Sequence, residues 1–328
     1  MRILFVTSAY PTDANPKTHI NIKLQVESLR GMGIECDVCV LEGNGYIKYL
    51  TGVSQIKRQL RIRKYDVIHA FYMYVGWVAR LSSSLPVVVT YVGSDVYGKC
   101  RADGSSVKLS RIVHVGLSKI LSRLSSASIV QSARMASLVS KKSHVIPEGL
   151  DQRVFFKRAS NREDLSLSPK TFYVLFAGTK SNGVKRYWLA NKGVSLLREE
   201  YQNVSLIDID GISQDRVSLY MNSVDCLLVT SSHEGGPHVV KEALACDLPV
   251  VSVDVGYAKE RIDSADNCFI VEDTPRAIAD ALEQVYLSHR RSFDGHTKIQ
   301  HLSLEATASR IARVYETITG LPSNHDRN

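Results

Sequence analysis

Short apolar runs alternate with amphipathic stretches along the first half of the chain. The apolar runs predict strands at residues 3–7, 36–41, 67–70, 86–91, 127–131 and 144–146. Between them, apolar residues recur at helical spacing, as Ile22, Val26 and Leu29 do in a helix predicted over residues 18–31. Further helices are predicted at 74–82, 107–126 and 132–140. Strands that are apolar at nearly every position are typical of a parallel sheet covered on both faces.

The same alternation returns in the second half. Residues 153–170 are polar, show no apolar period and predict a linker. Beyond them, strands are predicted at 171–177, 204–209, 226–230, 250–253 and 268–271, and helices at 186–199, 214–222, 237–246 and 275–288. We therefore predict an α/β protein with Rossmann-like domains at 1–152 and 171–303, a C-terminal helix at 304–320 and a frayed tail at 321–328. Ligands of such sheets bind at the carboxyl ends of the strands, so the cleft between the domains is the expected site.

The composition is that of a globular protein. Hydrophobic residues make up 44% of the chain and charged residues 23%, which excludes a disordered or collagen-like chain. No window approaches the ~18 uninterrupted apolar residues of a membrane span, and the apolar run after Met1 is too short for a signal peptide. We expect a cytoplasmic protein whose cysteines are reduced core residues.

The formal net charge of +8 indicates anionic partners. Basic residues are concentrated at 56–64 (IKRQLRIRK), a stretch without an acidic residue. One interpretation is a solvated helix face. The other is peripheral contact with an anionic membrane surface, at the inner face of the cell membrane. No nucleic-acid motif occurs elsewhere, so nucleic acid is not an expected partner.

The segment at residues 231–251 carries the clearest chemistry. A predicted strand runs into Glu234, Gly235, Gly236 and Pro237, and a helix that contains Glu242 follows. Backbone amides at a helix N-terminus bind anions and hydroxyl-rich ligands, and glycines let a ligand approach the backbone closely. The two glutamates can therefore contact different parts of one elongated ligand, although spacing alone also allows two surface side chains.

Residues 234–251, with the pattern E-G-G-P-x-x-x-K-E-A-x-A-x-x-x-P-V-V, resemble the signature of retaining glycosyltransferases with the GT-B fold, specifically glycosyltransferase family 4. The resemblance covers nearly the whole chain. Further segments match in the family's order: 65–70 (YDVIHA), 90–95 (TYVGSD), 145–151 (VIPEGLD), 175–178 (LFAG) and 184–186 (VKR). The resemblance implies two Rossmann-like domains and transfer of a sugar from a nucleotide sugar.

Residue roles follow from this resemblance. Glu242 is expected to bind the ribose hydroxyls of the nucleotide. Glu234, with the amides from Gly235 to His238, is expected to hold the donor sugar. Lys185 is expected to neutralise the departing diphosphate, which calls for a fixed cation where charge develops. Asp95 is expected either to cap a helix or to contact the acceptor or sugar.

The chain also departs from the family pattern. Val92 stands where the family usually has His, and Thr179 follows the strand glycine Gly178 where Arg is common. Lys180 or Arg186 can substitute for that missing cation at the donor diphosphate. In the first loop, His19 is a candidate catalytic or acceptor-side group.

A metal ion is the other means of neutralising a leaving diphosphate. Asp208 and Asp210 form a D-x-D at a predicted strand end and share one face of that strand. This motif belongs to a different transferase architecture, so we interpret it as a polar strand end and expect no metal or other cofactor.

We therefore predict a metal-independent, retaining hexosyltransferase-type enzyme. The donor is expected to be UDP- or GDP-linked, and the acceptor a glycan or a lipid-linked molecule of polysaccharide or glycoconjugate biosynthesis. Two alternatives stay open. A nucleotide-sugar epimerase would convert the donor without an acceptor, and a transferase-derived scaffold would bind without turnover.

Overall fold

The computed structural model describes residues 1–13, 15, 18–292 and 294–322, and they divide into two compact units. The first unit contains Met1–Lys99, Lys108–Gly149 and the chain from Leu304 onward. The second contains Cys100–Val107 and Leu150–Ser303. Of the tail predicted to be frayed, residues 323–328 lie outside the described part.

A parallel sheet forms the centre of the first unit. The described residues give it six strands: β1 (Arg2–Thr7), β2 (Glu35–Val40), β3 (Val67–Phe71), β4 (Val87–Thr90), β5 (Ala127–Val130) and β6 (His144–Val145). They pair in the order β2-β1-β3-β4-β5-β6. The helices between them are α1 (Ile20–Gly31), α2 (Ile47–Ile62), α3 (Met73–Ser82), α4 (Ser94–Tyr97), α5 (Lys108–Leu124) and α6 (Ala133–Val139).

The second unit repeats this architecture. Its described residues give five parallel strands: β7 (Phe172–Ala177), β8 (Val204–Ile209), β9 (Cys226–Val229), β10 (Val250–Val253) and β11 (Phe269–Val271). They pair in the order β11-β10-β9-β7-β8. The helices are α7 (Tyr187–Glu200), α8 (Gln214–Ser223), α9 (His238–Ala245), α10 (Ala258–Ile262), α11 (Pro275–Ser288) and α12 (Gly295–Ile299).

Both sheets are covered on two faces, as the continuous apolar strands predict. β3 and β4 are buried at every position, and the apolar side chains of each sheet divide into two clusters, one per face. The predicted α/β architecture of two Rossmann-like units is confirmed.

The last helix, α13 (Leu304–Thr319), returns to the first unit and packs beside α1. Tyr315 on α13 lies 2.5 Å (hydroxyl oxygen to Nδ1) from His69 of β3, and His69 Nε2 lies 2.7 Å from Thr90 Oγ1. Burial lowers the pKa of His69 to about 3, so its ring stays neutral between these two hydroxyls. The contact fixes the end of the chain to the centre of the first sheet.

The interval predicted as a linker, 153–170, belongs to the second unit. Phe155 is buried, and the backbone N–H of Arg158 donates to Asn222 Oδ1 at 2.8 Å. Arg162 donates to both carboxylate oxygens of Asp225 at 2.7 Å. Polar side chains attach this segment to α8 and to Asp225, the residue before β9, so no apolar period marks it. Among the described helices, none is long and apolar enough to cross a membrane.

Candidate active site

The loop between β9 and α9 combines a glutamate with a helix N-terminus. β9 is buried at every position, and the chain then turns through buried Gly235, Gly236 and Pro237. Pro237 is the N-cap and α9 begins at His238, one residue later than the sequence predicts. The first-turn amides of a helix have no intrahelical acceptor, so this loop presents donors beside a carboxylate.

Gly256 and Tyr257, which follow β10, pack against the loop between β9 and α9. Gly256 has a φ of +58°, and a Cβ built on it would lie 2.7 Å from Pro237 Cδ and 3.2 Å from Gly236 Cα. The hydroxyl of buried Tyr257 donates to the carbonyl of Pro237 at 3.2 Å. The close approach requires glycine, and it fixes the position at which α9 starts.

The loop between β7 and α7 lies beside it. A short 3₁₀ turn at Gly183–Lys185 is tied to the β9 loop, because the N–H of Ser232 donates to the Val184 carbonyl at 2.8 Å. Thr230 Oγ1 donates to the Lys185 carbonyl at 2.7 Å. These bonds hold the two loops together where neighbouring strands end.

Lys185 and Glu234 meet across these loops. Lys185 Nζ donates to Glu234 Oε1 at 2.7 Å, and each side chain is a little over one-fifth exposed. A Cβ on Gly178, whose φ is +151°, would lie 3.2 Å from Lys185 Cγ, so this glycine makes room for the lysine stem. An ammonium donates three hydrogen bonds and Glu234 accepts one, so Lys185 keeps capacity for an anion.

Glu242 lies one turn into α9, four residues after His238. Burial raises the pKa of its carboxyl, and the charges of His238, Lys241 and Lys185 oppose that effect. Glu234, Glu242, Lys185 and the glycine loop thus lie in one region of the second unit, and their roles toward a donor stay predictions.

Lys180 and Arg186 have other partners. Lys180 Nζ lies 2.8 Å from Asp208 Oδ1. Arg186 donates from Nε to the Thr230 carbonyl at 2.6 Å and from Nη1 to Asp273 at 2.7 Å. Both residues are therefore held by carboxylates, and substitution for the missing family arginine stays a prediction.

The D-x-D carboxylates are also engaged. Asp208 pairs with Lys180, and Asp210 accepts from Thr179 Oγ1 at 2.7 Å. Across the described ranges, no cluster of three or more His, Cys, Asp or Glu side chains is arranged to hold a metal ion.

The segment Cys100–Val107 contributes to this unit in a way that sequence reasoning missed. A Cβ on Gly183 would lie 2.1 Å from the Arg101 carbonyl oxygen, and a Cβ on Gly104 would lie 2.6 Å from Arg186 Cγ. Trp188 Nε1 also donates to the Asp103 carbonyl at 3.3 Å. The segment therefore packs on the turn that carries Lys185. Its signal is a pair of glycines far apart in sequence, which no local pattern connects.

Asp95 and His19 lie in the first unit. Asp95 is fully buried and accepts from the backbone N–H of Gly93 at 2.8 Å, Met73 at 3.0 Å and Val92 at 3.1 Å. Burial raises its pKa to about 6, and those amides oppose the rise. His19 precedes α1 with a φ of +50°. Burial lowers its pKa and the Glu148 carboxylate opposes this. Catalytic roles for both stay predictions.

Models of two protein families match this chain. Residues 157–294 match the family described as glycosyl transferases group 1, and residues 19–123 match the family described as glycosyl transferase 4-like. Together the matches cover most of both units.

Two curated relatives are similar over much of their length. The chain is 24% identical to a D-inositol 3-phosphate glycosyltransferase of Pseudarthrobacter chlorophenolicus, over 71% of this chain and 65% of that protein. It is 23% identical to a putative teichuronic acid biosynthesis glycosyltransferase, TuaC, of Bacillus subtilis, over 86% of this chain and 88% of that protein. The chain thus spans slightly less than two thirds of the first relative.

Solved structures share the fold. Sucrose-phosphate synthase from Thermosynechococcus elongatus has a TM-score of 0.77 at 18% identity, covering 98% of this chain and all of that one. The Anabaena protein HepE, solved with UDP and glucose, has a TM-score of 0.71 at 16% identity with the same coverage. At such identities the likeness shows the two-unit architecture alone.

Proposed function

This chain belongs to the group 1 glycosyltransferases of the family 4 type, with the GT-B fold, and we propose that it moves a sugar from a UDP- or GDP-linked donor to a glycan or lipid-linked acceptor with retention at the anomeric carbon. The observation that carries the proposal is the contact of 2.7 Å between Lys185 Nζ and Glu234 Oε1, beside the start of α9. This contact places a cation and a carboxylate beside the amides of a helix N-terminus, at the carboxyl ends of two neighbouring strands.

Lys185 acts on the leaving group in this proposal. When the bond to the donor sugar breaks, negative charge grows on the diphosphate, and a preorganised cation stabilises it more than flexible water does. Glu234 holds the ammonium in place through an ion pair that is largely withdrawn from solvent. This cation does the work that a metal ion does elsewhere, so we propose metal-independent transfer.

Glu242 and the glycine loop hold the rest of the donor. A carboxylate accepts two hydroxyl hydrogen bonds at once, which suits the ribose diol of a nucleotide. The amides of the first turn of α9 suit the sugar hydroxyls. HepE was solved with UDP-glucose, which favours a uridine nucleotide as the first donor to test here.

The acceptor is proposed to be a glycan or a lipid-linked molecule, as for a chain that builds polysaccharides or glycoconjugates. A basic surface at residues 56–64 supports contact with an anionic membrane, because Lys57, Arg58 and Arg61 are exposed on α2. That contact would bring a lipid-linked acceptor to the enzyme.

Calorimetric titration with UDP, GDP and ADP tests the donor site. We expect one nucleotide to bind selectively and Glu242→Ala to weaken it about tenfold or more, because charged hydrogen bonds are lost. Glu199→Ala, which removes an exposed glutamate on α7, is the matched control and should bind as the wild type does.

Turnover of the selected nucleotide sugar then separates the alternatives. Acceptor-dependent transfer supports the proposal. Donor converted to an epimer without any acceptor indicates an epimerase. Nucleotide binding without turnover, or no binding of any nucleotide, indicates a scaffold, the alternative that the departures at Val92 and Thr179 favour.

A further inference from the structure

We propose that helix α5 docks the protein on an anionic lipid bilayer by inserting its outer apolar face among the headgroups. This outer apolar face consists of Leu109, Ile112, Val113, Ile120 and Leu124, all exposed; Leu109 is 72% and Ile112 68% exposed. The proposal deepens the membrane contact proposed above by naming the face that inserts, and its test does not depend on activity, so it can fail while the glycosyl transfer stands.

The geometry of α5 makes these side chains one face. At about 100° per residue, they fall within an arc of about 120° of the helix surface. The side chains that α5 buries, His114, Ser118 and Leu121, fall on the opposite arc. One side of the helix therefore packs on the first unit, and the apolar face on the other side stays exposed.

Charge accompanies this exposed face. Lys108, Arg111, Lys119 and Arg123 are exposed on the same helix, and α5 contains no acidic residue. Within the described part of the chain, none of the four takes part in an ion pair. An amphipathic helix with cations beside an apolar stripe binds anionic lipid both by burying apolar side chains and by electrostatic attraction.

The start of α2 extends the surface. Tyr46, which is exposed, lies with its ring centroid 6.4 Å from that of Tyr74, and the Tyr74 ring lies 5.9 Å from His114 of α5. Leu50 of α2 is 80% exposed. Tyrosine rings are enriched at membrane interfaces, so exposed aromatic and apolar groups next to α5 fit the same partner.

The combination selects a bilayer over other partners. A two-fold contact between copies through α5 would set the same four cations against each other, which costs free energy. A nucleic acid would use the cations but gain little from exposed leucine and isoleucine side chains. An anionic bilayer can contact the cations and also bury the exposed apolar side chains.

Flotation with vesicles tests the proposal on the full chain. Vesicles of phosphatidylcholine with about 30% phosphatidylglycerol should bind the wild type, and the double variant Leu109→Ser/Ile112→Ser should partition at least about tenfold less. Leu287→Ser on α11 of the second unit removes another exposed leucine, 55% exposed, and is the control, expected to bind within about twofold of wild type.

The charge variant Lys119→Gln/Arg123→Gln tests the electrostatic contribution to lipid binding. Each lost cation should weaken binding to the anionic vesicles several-fold, and the binding that remains should depend less on salt. These side chains are exposed and serve as the test if the serine variant does not fold. Lys57→Gln/Arg58→Gln on α2 shows whether the basic run at 56–64 carries the attachment instead.

Three results would overturn the proposal. Both α5 variants could bind vesicles as the wild type does. The α2 variant alone could abolish binding. Light scattering could show a dimer that the α5 variants convert to a monomer, with no lipid affinity in either form, which would make this face a contact between copies.

Discussion

Two acidic side chains stand just after central strands, and the two units use them differently. Asp95 follows β4 in the first unit, where it is fully buried and accepts three backbone N–H groups. Glu234 follows β9 in the second unit, where it is partly exposed and pairs with the ammonium of Lys185. The same residue class, in a strand-end loop of each unit, thus has different surroundings.

The partners of a carboxylate distinguish a structural role from a chemical one. Asp95 uses its lone pairs on the loop that carries it, and breaking those bonds would leave buried amides without an acceptor. Glu234 holds a side-chain cation that is itself reachable from solvent. A ligand can therefore contact the Glu234 pair while the backbone around it stays unchanged.

The largest expected effect is on stability, from Asp95→Ala. Removing the carboxylate leaves three buried or half-buried amides without an acceptor, at about 1–3 kcal/mol each. We expect urea denaturation to show a loss of at least about 3 kcal/mol in the free energy of unfolding. Asp95→Asn, which keeps one acceptor oxygen, should lose clearly less. A loss below about 1 kcal/mol would contradict the structural role.

Lys185→Ala should do the opposite, lowering turnover rather than stability. Loss of a preorganised charge at a leaving group costs about 10²-fold in turnover. Its partly exposed ion pair contributes about 1 kcal/mol or less to folding. The control is Lys192→Ala, which removes an exposed lysine on α7. Equal steady-state turnover in the two variants would remove Lys185 from the proposed chemistry.

Local patterns were sufficient for the fold and for half of the site. β3 and β4 are apolar at nearly every position because both faces of a parallel sheet are covered, so a single pattern gives strand and sheet type. Glu234 and Glu242 belong to one contiguous strand–loop–helix segment, and contiguity made their grouping predictable. Lys185 was grouped with them only through the family resemblance.

Other features depend on contacts that no local pattern encodes. The segment Cys100–Val107 packs on Gly183 through backbone atoms, which leaves no periodic trace in the sequence. The interval 153–170 is attached by arginine hydrogen bonds and by isolated apolar side chains such as Phe155, which form no regular period. In α5, periodicity shows that apolar residues are present but does not determine which arc faces the sheet. The burial of Asp95 is also not predictable from a local pattern, because Met73, whose backbone N–H it accepts, is distant in sequence.

Two glycines with positive φ, one in each unit, offer a pair of substitutions with smaller expected effects. Gly98 follows α4, has a φ of +77°, and would place a Cβ 2.8 Å from Arg111 N; Gly256 would place one 2.7 Å from Pro237 Cδ. Gly98→Ala and Gly256→Ala should each lose about 1–3 kcal/mol of folding free energy through strain. Only Gly256→Ala should also weaken nucleotide binding, several-fold by calorimetry, because it displaces the loop of Glu234. Equal nucleotide affinities in the two variants would contradict this division.

The smallest expected effect is a dependence of stability on pH that belongs to Asp95. Burial raises its pKa in the folded protein to about 6, against about 4 in an unfolded chain, so the folded state binds the proton more tightly. The stabilisation is complete below the unfolded pKa and is lost as the pH rises through 6. Between pH 7 and pH 5, the wild type should therefore gain about 1 kcal/mol relative to Asp95→Asn, measured by urea denaturation of both at each pH. A difference that stays flat, or that shrinks on acidification, would mean that water reaches this carboxylate. The loop after β4 would then resemble the loop after β9, and Asp95 would return as a candidate for contact with the acceptor.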